Sequence, residues 1–473
     1  MFNLPHSSIP GAVFPAVPAK AAATMLAVLH QFRVTERLPP AELQALQFRQ
    51  LGELLAHASR TVPYYEPILR VAGFRPGEPL TAEAWARLPV LTRVQVQEAG
   101  DRLHARELPA GHGAVATATT SGSSGRPVTI RKSALYQFYW QCLVVRDHEW
   151  QARDFGATWM ALLRDSERDA AKQGPLRRMA NWGGPLPAIY PTGPGLFLDY
   201  RAPVAELLAN IISERPAYLV TFPSLLRELL CEGQATGRRP QGLREVRTTG
   251  EALSLELRDL AIAAWSEAGR PPLRVTEAYS SAEFGAIAIP CLEHNALHVQ
   301  AEGVHLEILR PDGSPCDIGE EGQVVLTSLH NFAMPLIRYE ITDRAILGTP
   351  CACGRTLPVL AAIPGRARDM LTLPDGQRRF PFYGHRTIMK DDAIMSAIVQ
   401  QQAVQTALDE VEIRLVVRRP LTAAEEKFII DTATTALGGA HWVRLAYRSE
   451  IPRGPGGKFA EFTNEYENPP AGK

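Results

Sequence analysis

Residues 119–127 read Thr-Thr-Ser-Gly-Ser-Ser-Gly-Arg-Pro, placing five hydroxyls and two glycines directly ahead of an extended run at 128–131. Glycines let a backbone turn in towards an anion and free its N–H groups to point at it. The hydroxyls of Thr120, Ser121, Ser123 and Ser124, interleaved with Gly122 and Gly125, add further donors. Holding a phosphate is the chemistry this composition suits. The loop is not of the Walker type, because Pro127 stands where the Gly-Lys-Ser/Thr ending would begin. On composition alone a flexible connector is the alternative. A second group is Cys291 and His298 followed by the pair Cys351 and Cys353. Three thiolates and an imidazole suffice for a tetrahedral Zn²⁺ site, closed and therefore structural. His294 is the alternative to His298, and free cysteines packed as small hydrophobes are the alternative to a metal.

Further groups follow the loop in a fixed order. Thr248-Thr249-Gly250-Glu251 precedes Tyr279-Ser280-Ser281-Ala282-Glu283; Ile337-Arg338-Tyr339-Glu340-Ile341-Thr342-Asp343 precedes Gly365-Arg366-Ala367-Arg368-Asp369; Pro452-Arg453-Gly454-Pro455-Gly456-Gly457-Lys458 lies near the C-terminus. With this set the chain, from about Leu43 onward, resembles the adenylate-forming superfamily of acyl-CoA synthetases. Within it the resemblance is to the phenylacetate-CoA ligase-like branch, carried by Pro335-Leu336-Ile337-Arg338-Tyr339, by Cys351-Ala352-Cys353-Gly354-Arg355 and by Thr61-Val62-Pro63-Tyr64-Tyr65.

The resemblance implies an α/β fold: a large N-terminal adenylate-forming domain, residues 1–366, of layered α/β subdomains and a β-rich section, then a small mobile α+β lid, residues 367–473. It implies ATP-dependent activation of a carboxylic acid, aryl or acyl, to an acyl-adenylate with release of pyrophosphate. Transfer to a thiol then releases AMP. Coenzyme A is the leading acceptor; a carrier protein or another acceptor is the alternative, and a non-catalytic nucleotide-binding relative is the third reading. By the same resemblance Thr120, Ser121, Gly122, Ser123, Ser124 and Gly125 would hold the β- and γ-phosphates, and Glu283 would help bind Mg²⁺. Asp343 would accept bonds from both ribose hydroxyls. Arg366 would donate near the ribose or α-phosphate, and Gly250, Glu251 and Tyr279 would line the adenine. Lys458 would meet the charge that develops at the α-phosphate. The chain departs from the pattern at Ala282, where the family carries Thr or Ser and where Ser280 or Ser281 could compensate. It departs again at Arg368, where the hinge commonly has Asp.

These groups need a scaffold of several layers. At 473 residues the chain is too long for one compact core, so two or three domains are expected. Fifty acidic residues balance fifty basic ones, and a net charge of +0 does not predict nucleic acid or an anionic membrane as an obligatory partner. The apolar stretch 11–29 is broken by Pro15, Pro18 and Lys20 and has no cationic lead, so it reads as an irregular arm entering a helix. No apolar run is long enough to span a bilayer, and six cysteines in such a chain fit a reducing cytoplasm. The sequence also admits a homodimer. Leu43, Leu46, Phe48, Leu51, Leu54 and Leu55 form a helical stripe over 40–58. Short apolar runs at 217–221 and 243–248 read as parallel strands between helices, and 304–309 with 322–327 as a hairpin section. Strand, helix and strand are expected at 411–417, 423–437 and 443–447. Trp182, Tyr190, Phe222 and Phe284 are candidate walls for the acyl group, with core packing as the plainer alternative.

Overall fold

The stripe that begins at Leu43 forms the helix Pro40–Thr61, with Pro40 in its first turn, where a missing N–H leaves no bond unmade. Its Leu51, Leu54 and Leu55 are buried in a core shared with Val128, Ile130, Tyr279, Phe284, Ile337 and Tyr339. One apolar cluster thus anchors the strand that leaves the hydroxyl-rich loop and the segments bearing Glu283 and Asp343. Residues 4–119, 128–163, 174–366, 370–376, 378–379, 388, 391–439, 441–453 and 459–467 are described by this computed structural model. The chain folds into two compact units, the first of residues 1–156, 181–193 and 278–363, the second of 157–180, 194–277 and 364–473. The boundary expected at 366/367 falls against residues 367–369, outside the described ones.

In the first unit the Arg274–Ser281 strand, which carries the chain in from the second unit, pairs antiparallel with Gly285–Pro290, so that Tyr279 faces Ala288. Gly285–Pro290 pairs with Leu297–Val299, and Leu297–Val299 with Val359–Arg366. The expected hairpin section is Val304–Leu309 against Glu321–Ser328, followed by Tyr339–Leu347. Arg338 precedes this last strand in a left-handed conformation, φ 50°. Its guanidinium is buried, donates to both oxygens of Glu307 at 3.0 and 3.1 Å, and reaches the carbonyls of Ala86, at 3.1 Å, and Leu88. Its own carbonyl accepts from Leu91 N–H at 2.8 Å. A rigid five-donor fork is the one side chain that can satisfy a carboxylate and two peptide oxygens together.

The second unit holds the parallel strands Trp159–Leu163, Gly195–Asp199, Tyr218–Thr221 and Glu245–Thr249, with Leu176–Met179 antiparallel at one edge. The two runs read as strands from the sequence are among them. A leucine-rich core covers the sheet with the helices Val204–Glu214 and Pro223–Thr236. The C-terminal segment adds a four-stranded sheet in the order Trp442–Tyr447, Glu410–Val417, Ile398–Ala407, Phe462–Asn464. Its parallel Glu410–Val417 and Trp442–Tyr447 strands are joined by the helix Ala423–Ala436, the expected strand, helix and strand. This sheet has a core of its own, including Ile413, Leu415, Ile429, Ala433 and Val443.

Because the buried Arg338 guanidinium pairs with the partly buried carboxylate of Glu307, Arg338→Met should lower stability by about 1.5–3 kcal/mol, read as a fall in the urea midpoint. Adding Glu307→Leu should recover a large part of that loss, since no unpaired carboxylate is then left. An unchanged midpoint for the single variant would contradict the structural role given to this guanidinium.

Candidate active site

Asp343 stands on a distortion of its strand. Gln323 faces Arg344 while Val325 faces Glu340, so residues 341–343 face Val324 alone. At the centre of the bulge Thr342 has φ 68°, an uncommon conformation for a β-branched residue that persists only where the surroundings impose it. A bulge bends the strand and re-aims its side chains. The result here is a bond of 2.9 Å from the buried Tyr279 hydroxyl to Oδ2 of Asp343. Two residues expected in the nucleotide site are thus in contact.

Glu283 lies in the turn between Arg274–Ser281 and Gly285–Pro290. Ser281 Oγ accepts from Phe284 N–H at 3.1 Å and so serves the turn, while Ser280 is exposed. The turn closes on Gly285, φ +69°, where a Cβ would come within 2.8 Å of the Trp140 ring, so only glycine fits. The Glu283 carboxylate is buried, 3.7 Å from the Arg93 guanidinium. Lys132 Nζ donates to the Ala282 carbonyl at 2.6 Å and sits over the rings of Tyr136 and Trp140, 5.4 and 5.7 Å from their centroids. Burial pulls the Lys132 ammonium below its ordinary pKa, and the charge of Glu283 opposes that. Neither Arg93 nor Lys132 was singled out by sequence reasoning. For Lys132 a signal existed: it shares the inward face of Thr129–Ser133 with Ile130, an unusual place for a lysine.

In the second unit Gly250 takes φ +81° and Glu251 is directed inward. Its carboxylate accepts from Ser224 N–H at 2.9 Å, from Ser224 Oγ–H at 3.0 Å and from Phe459 N–H at 2.5 Å. Burial raises its pKa, and the Phe459 and Ser224 bonds pull it back. The side chain expected to line the adenine is committed to peptide and hydroxyl donors of its own unit. Trp182 and Tyr190 are packed with Phe155 in an aromatic cluster, and Phe284 stacks on Tyr339. The loop residues Thr120, Ser121, Gly122, Ser123, Ser124 and Gly125, together with Arg368 and Lys458, lie outside the described residues. Of Arg366 only the backbone is described, at the end of Val359–Arg366.

The second group converges. The ligand atoms of Cys291, His298, Cys351 and Cys353 all lie within 4.8 Å of one another, with Cys291 Sγ 3.7 Å from Cys351 Sγ and Cys353 Sγ 3.4 Å from His298 Nε2. His298, not His294, is the imidazole of the group. Burial, helped by Arg355, holds its pKa down at about 4, so the ring is a neutral donor. Burial pushes the Cys351 thiol up to about 12. Burial also acts upward on Cys353, but bonds from the Arg355 backbone, Cys351 and the Arg355 side chain outweigh it and hold the thiol below its ordinary value.

The fold resembles known structures over most of the chain. A structure of 2-hydroxyisobutyryl-CoA ligase, in the postadenylation state with an acyl-AMP, superposes with a TM-score of 0.71 at 18% identity, covering 92% of this chain and 91% of that one. The fold is that of the adenylate-forming CoA ligases. In sequence the chain is similar to phenylacetate-coenzyme A ligases. It is 27% identical over 418 residues to the phenylacetate-coenzyme A ligase of Thermus thermophilus, covering 81% of this chain and 84% of the relative. It is 24% identical over 375 residues to the enzyme of that name from Escherichia coli, covering 74% and 76%. Residues 387–465 match the family model for the CapK C-terminal domain. Among the described residues no helix is long and apolar enough to cross a membrane.

In metal-free, reduced protein, iodoacetamide at neutral pH should modify Cys353 first. Cys142 and Cys231 should react last, because both are buried and burial pushes their pKa up to about 12 and about 11. Peptide mass spectrometry along a time course reads the order; Cys142 reacting as fast as Cys353 would contradict it.

Proposed function

We propose that this chain activates a carboxylic acid with ATP and Mg²⁺ and passes the acyl group to coenzyme A. The substrate carboxylate attacks the α-phosphorus, the bond to pyrophosphate breaks, and an acyl-adenylate remains. The CoA thiolate then attacks the acyl carbon and AMP leaves. The observation that carries this reading is Asp343, re-aimed by a strand bulge and bonded to Tyr279, inside the ordered motifs that resemble the adenylate-forming pattern, in a chain similar to a phenylacetate-coenzyme A ligase. In this reading the Asp343 carboxylate takes the ribose hydroxyls while Tyr279 orients it. Glu283 serves Mg²⁺, with Arg93 and Lys132 supplying fixed positive charge close by. Loop 120–125, Arg366 and Lys458 keep the phosphate roles set out above. The second reading, implied by the same resemblance, is a carrier protein or another acceptor in place of CoA on the same acyl-adenylate.

Pyrophosphate release with ATP and a panel of aryl and fatty acids, each with and without CoA, tests the reading. Release with no acid in the panel would count against it, and CoA-independent turnover would favour the second acceptor. A carboxylate lost from two ribose hydroxyls removes charge-assisted bonds of roughly 1.5–3 kcal/mol each, so Asp343→Ala should weaken ATP binding at least about tenfold in calorimetry. Pyrophosphate inhibition should change little.

The Cys291, His298, Cys351 and Cys353 group fits a structural Zn²⁺, because it offers four soft or borderline donors and would close the coordination sphere. It ties the turn after Gly285–Pro290 to the Cys351-to-Arg355 loop. Elemental analysis of protein kept from chelators should find about one zinc per chain, and Cys353→Ser should lower that content. Absence of metal from the parent would remove the assignment.

A further inference from the structure

The loop that carries Cys351 and Cys353 is tied to the chain just after the helix Lys20–Thr35. Thr356 N–H donates to the Glu36 carbonyl at 2.8 Å, and the Thr356 hydroxyl to the Leu38 carbonyl at 2.5 Å. Beside these ties the Arg355 guanidinium lies over the Trp150 ring, 4.2 Å from its centroid. Its Nε is 3.3 Å from Glu36 Oε1 and its Nη1 3.6 Å from Glu293 Oε2. Both nitrogens are buried, yet among the described residues neither makes a hydrogen bond. Glu36 already accepts from Arg146 Nη2 and from Trp150 Nε1, each at 3.0 Å. Arg146 in turn takes both oxygens of Glu302, at 2.8 and 3.0 Å. Arg355 is thus the incompletely paired cation of this group, and its guanidinium also bonds the Cys353 thiol.

We propose that Arg355 is the charge partner of the Cys291, His298, Cys351 and Cys353 centre, the cation that balances the negative charge these ligands leave over when they hold a divalent metal. This rests on the zinc reading above. Three thiolates and a neutral imidazole around a divalent ion leave one negative charge. Cys291 and His298 are buried and the other two ligands half-buried, so water stabilises that charge poorly and a fixed cation beside it counts for more. Arg146 is committed to two carboxylates, whereas Arg355 keeps buried donors without a hydrogen bond next to Cys353. Trp150 positions it: the ring carries the guanidinium, is pinned by its Nε1 bond to Glu36, and meets the His298 ring at 84° with centroids 5.7 Å apart. Glu293, half exposed and two residues after Cys291, acts in the opposite sense, because its carboxylate adds negative charge beside the centre. The Thr356 bonds hold the loop without the guanidinium, so lost charge and lost fold can be told apart.

The test uses the full chain with Arg355→Met, Arg355→Lys and Glu293→Gln, and reads zinc affinity by competition with a chromogenic chelator. Arg355→Met should bind zinc at least about tenfold more weakly than the parent. Arg355→Lys keeps the charge and should stay within about threefold of the parent. Glu293→Gln removes the opposing charge at an exposed position and should bind about twofold more tightly, a gain that salt reduces. Substitution with cobalt(II) should give the same thiolate charge-transfer band in the parent and in Arg355→Met, since all four ligands remain in place. Unchanged affinity in Arg355→Met, Arg355→Lys as weak as Arg355→Met, or a shifted cobalt band overturns the proposal. Should Arg355→Met fail to fold, Glu293→Gln decides alone: affinity equal to or below the parent's overturns it. If the parent binds neither zinc nor cobalt, the zinc reading falls and the charge partner with it; if the parent binds zinc and the variants bind it equally well, the charge partner alone falls.

Discussion

The first unit is organised by one buried guanidinium. Arg338 must satisfy Glu307 and the carbonyls of Ala86 and Leu88, and in doing so it fixes where the strand Tyr339–Leu347 begins. Because that start is fixed, Tyr339 packs against Phe284, and Phe284 follows Glu283. The same start sets the register that breaks at residues 341–343 and releases Asp343 towards Tyr279. Two carboxylates sixty positions apart in the chain thus take their places from a single cation.

The charges around Glu283 show a second constraint. A buried carboxylate is costly unless it is paired, and here Arg93 and Lys132 approach it from different elements. The sequence departs from the family pattern at Ala282, where a hydroxyl is missing, and it is the Ala282 carbonyl that receives the Lys132 ammonium. That ammonium is held over the rings of Tyr136 and Trp140.

Much of this was legible in the sequence, for reasons that differ by element. The stripe from Leu43, the alternating strands of the β-rich section and the last strand, helix and strand all declare themselves by period, because each has one face to bury. The Cys291, His298, Cys351 and Cys353 group was legible because few residue types can bind zinc. The bulge at Thr342 was not, since φ 68° at a threonine is imposed by tertiary contacts and leaves no compositional trace. Glu251 reads in sequence as part of a nucleotide turn, but its partners Ser224 and Phe459 lie 27 and 208 positions away, beyond any local pattern. Arg93 escaped notice because an arginine opening a short helix is ordinary; only the approach of Glu283 gives it meaning.

The second unit separates two kinds of contact by their chemistry. Where the leucine-rich helices meet the parallel sheet, leucines interdigitate and water has no way in, so separation would expose a continuous apolar surface. Where the C-terminal sheet meets the helix Pro223–Thr236, three ion pairs take that place, with an apolar patch of little more than Cys231 and Met395. One helix therefore faces one neighbour with leucines and another with charges, and it is the second contact whose partners would regain water on separation.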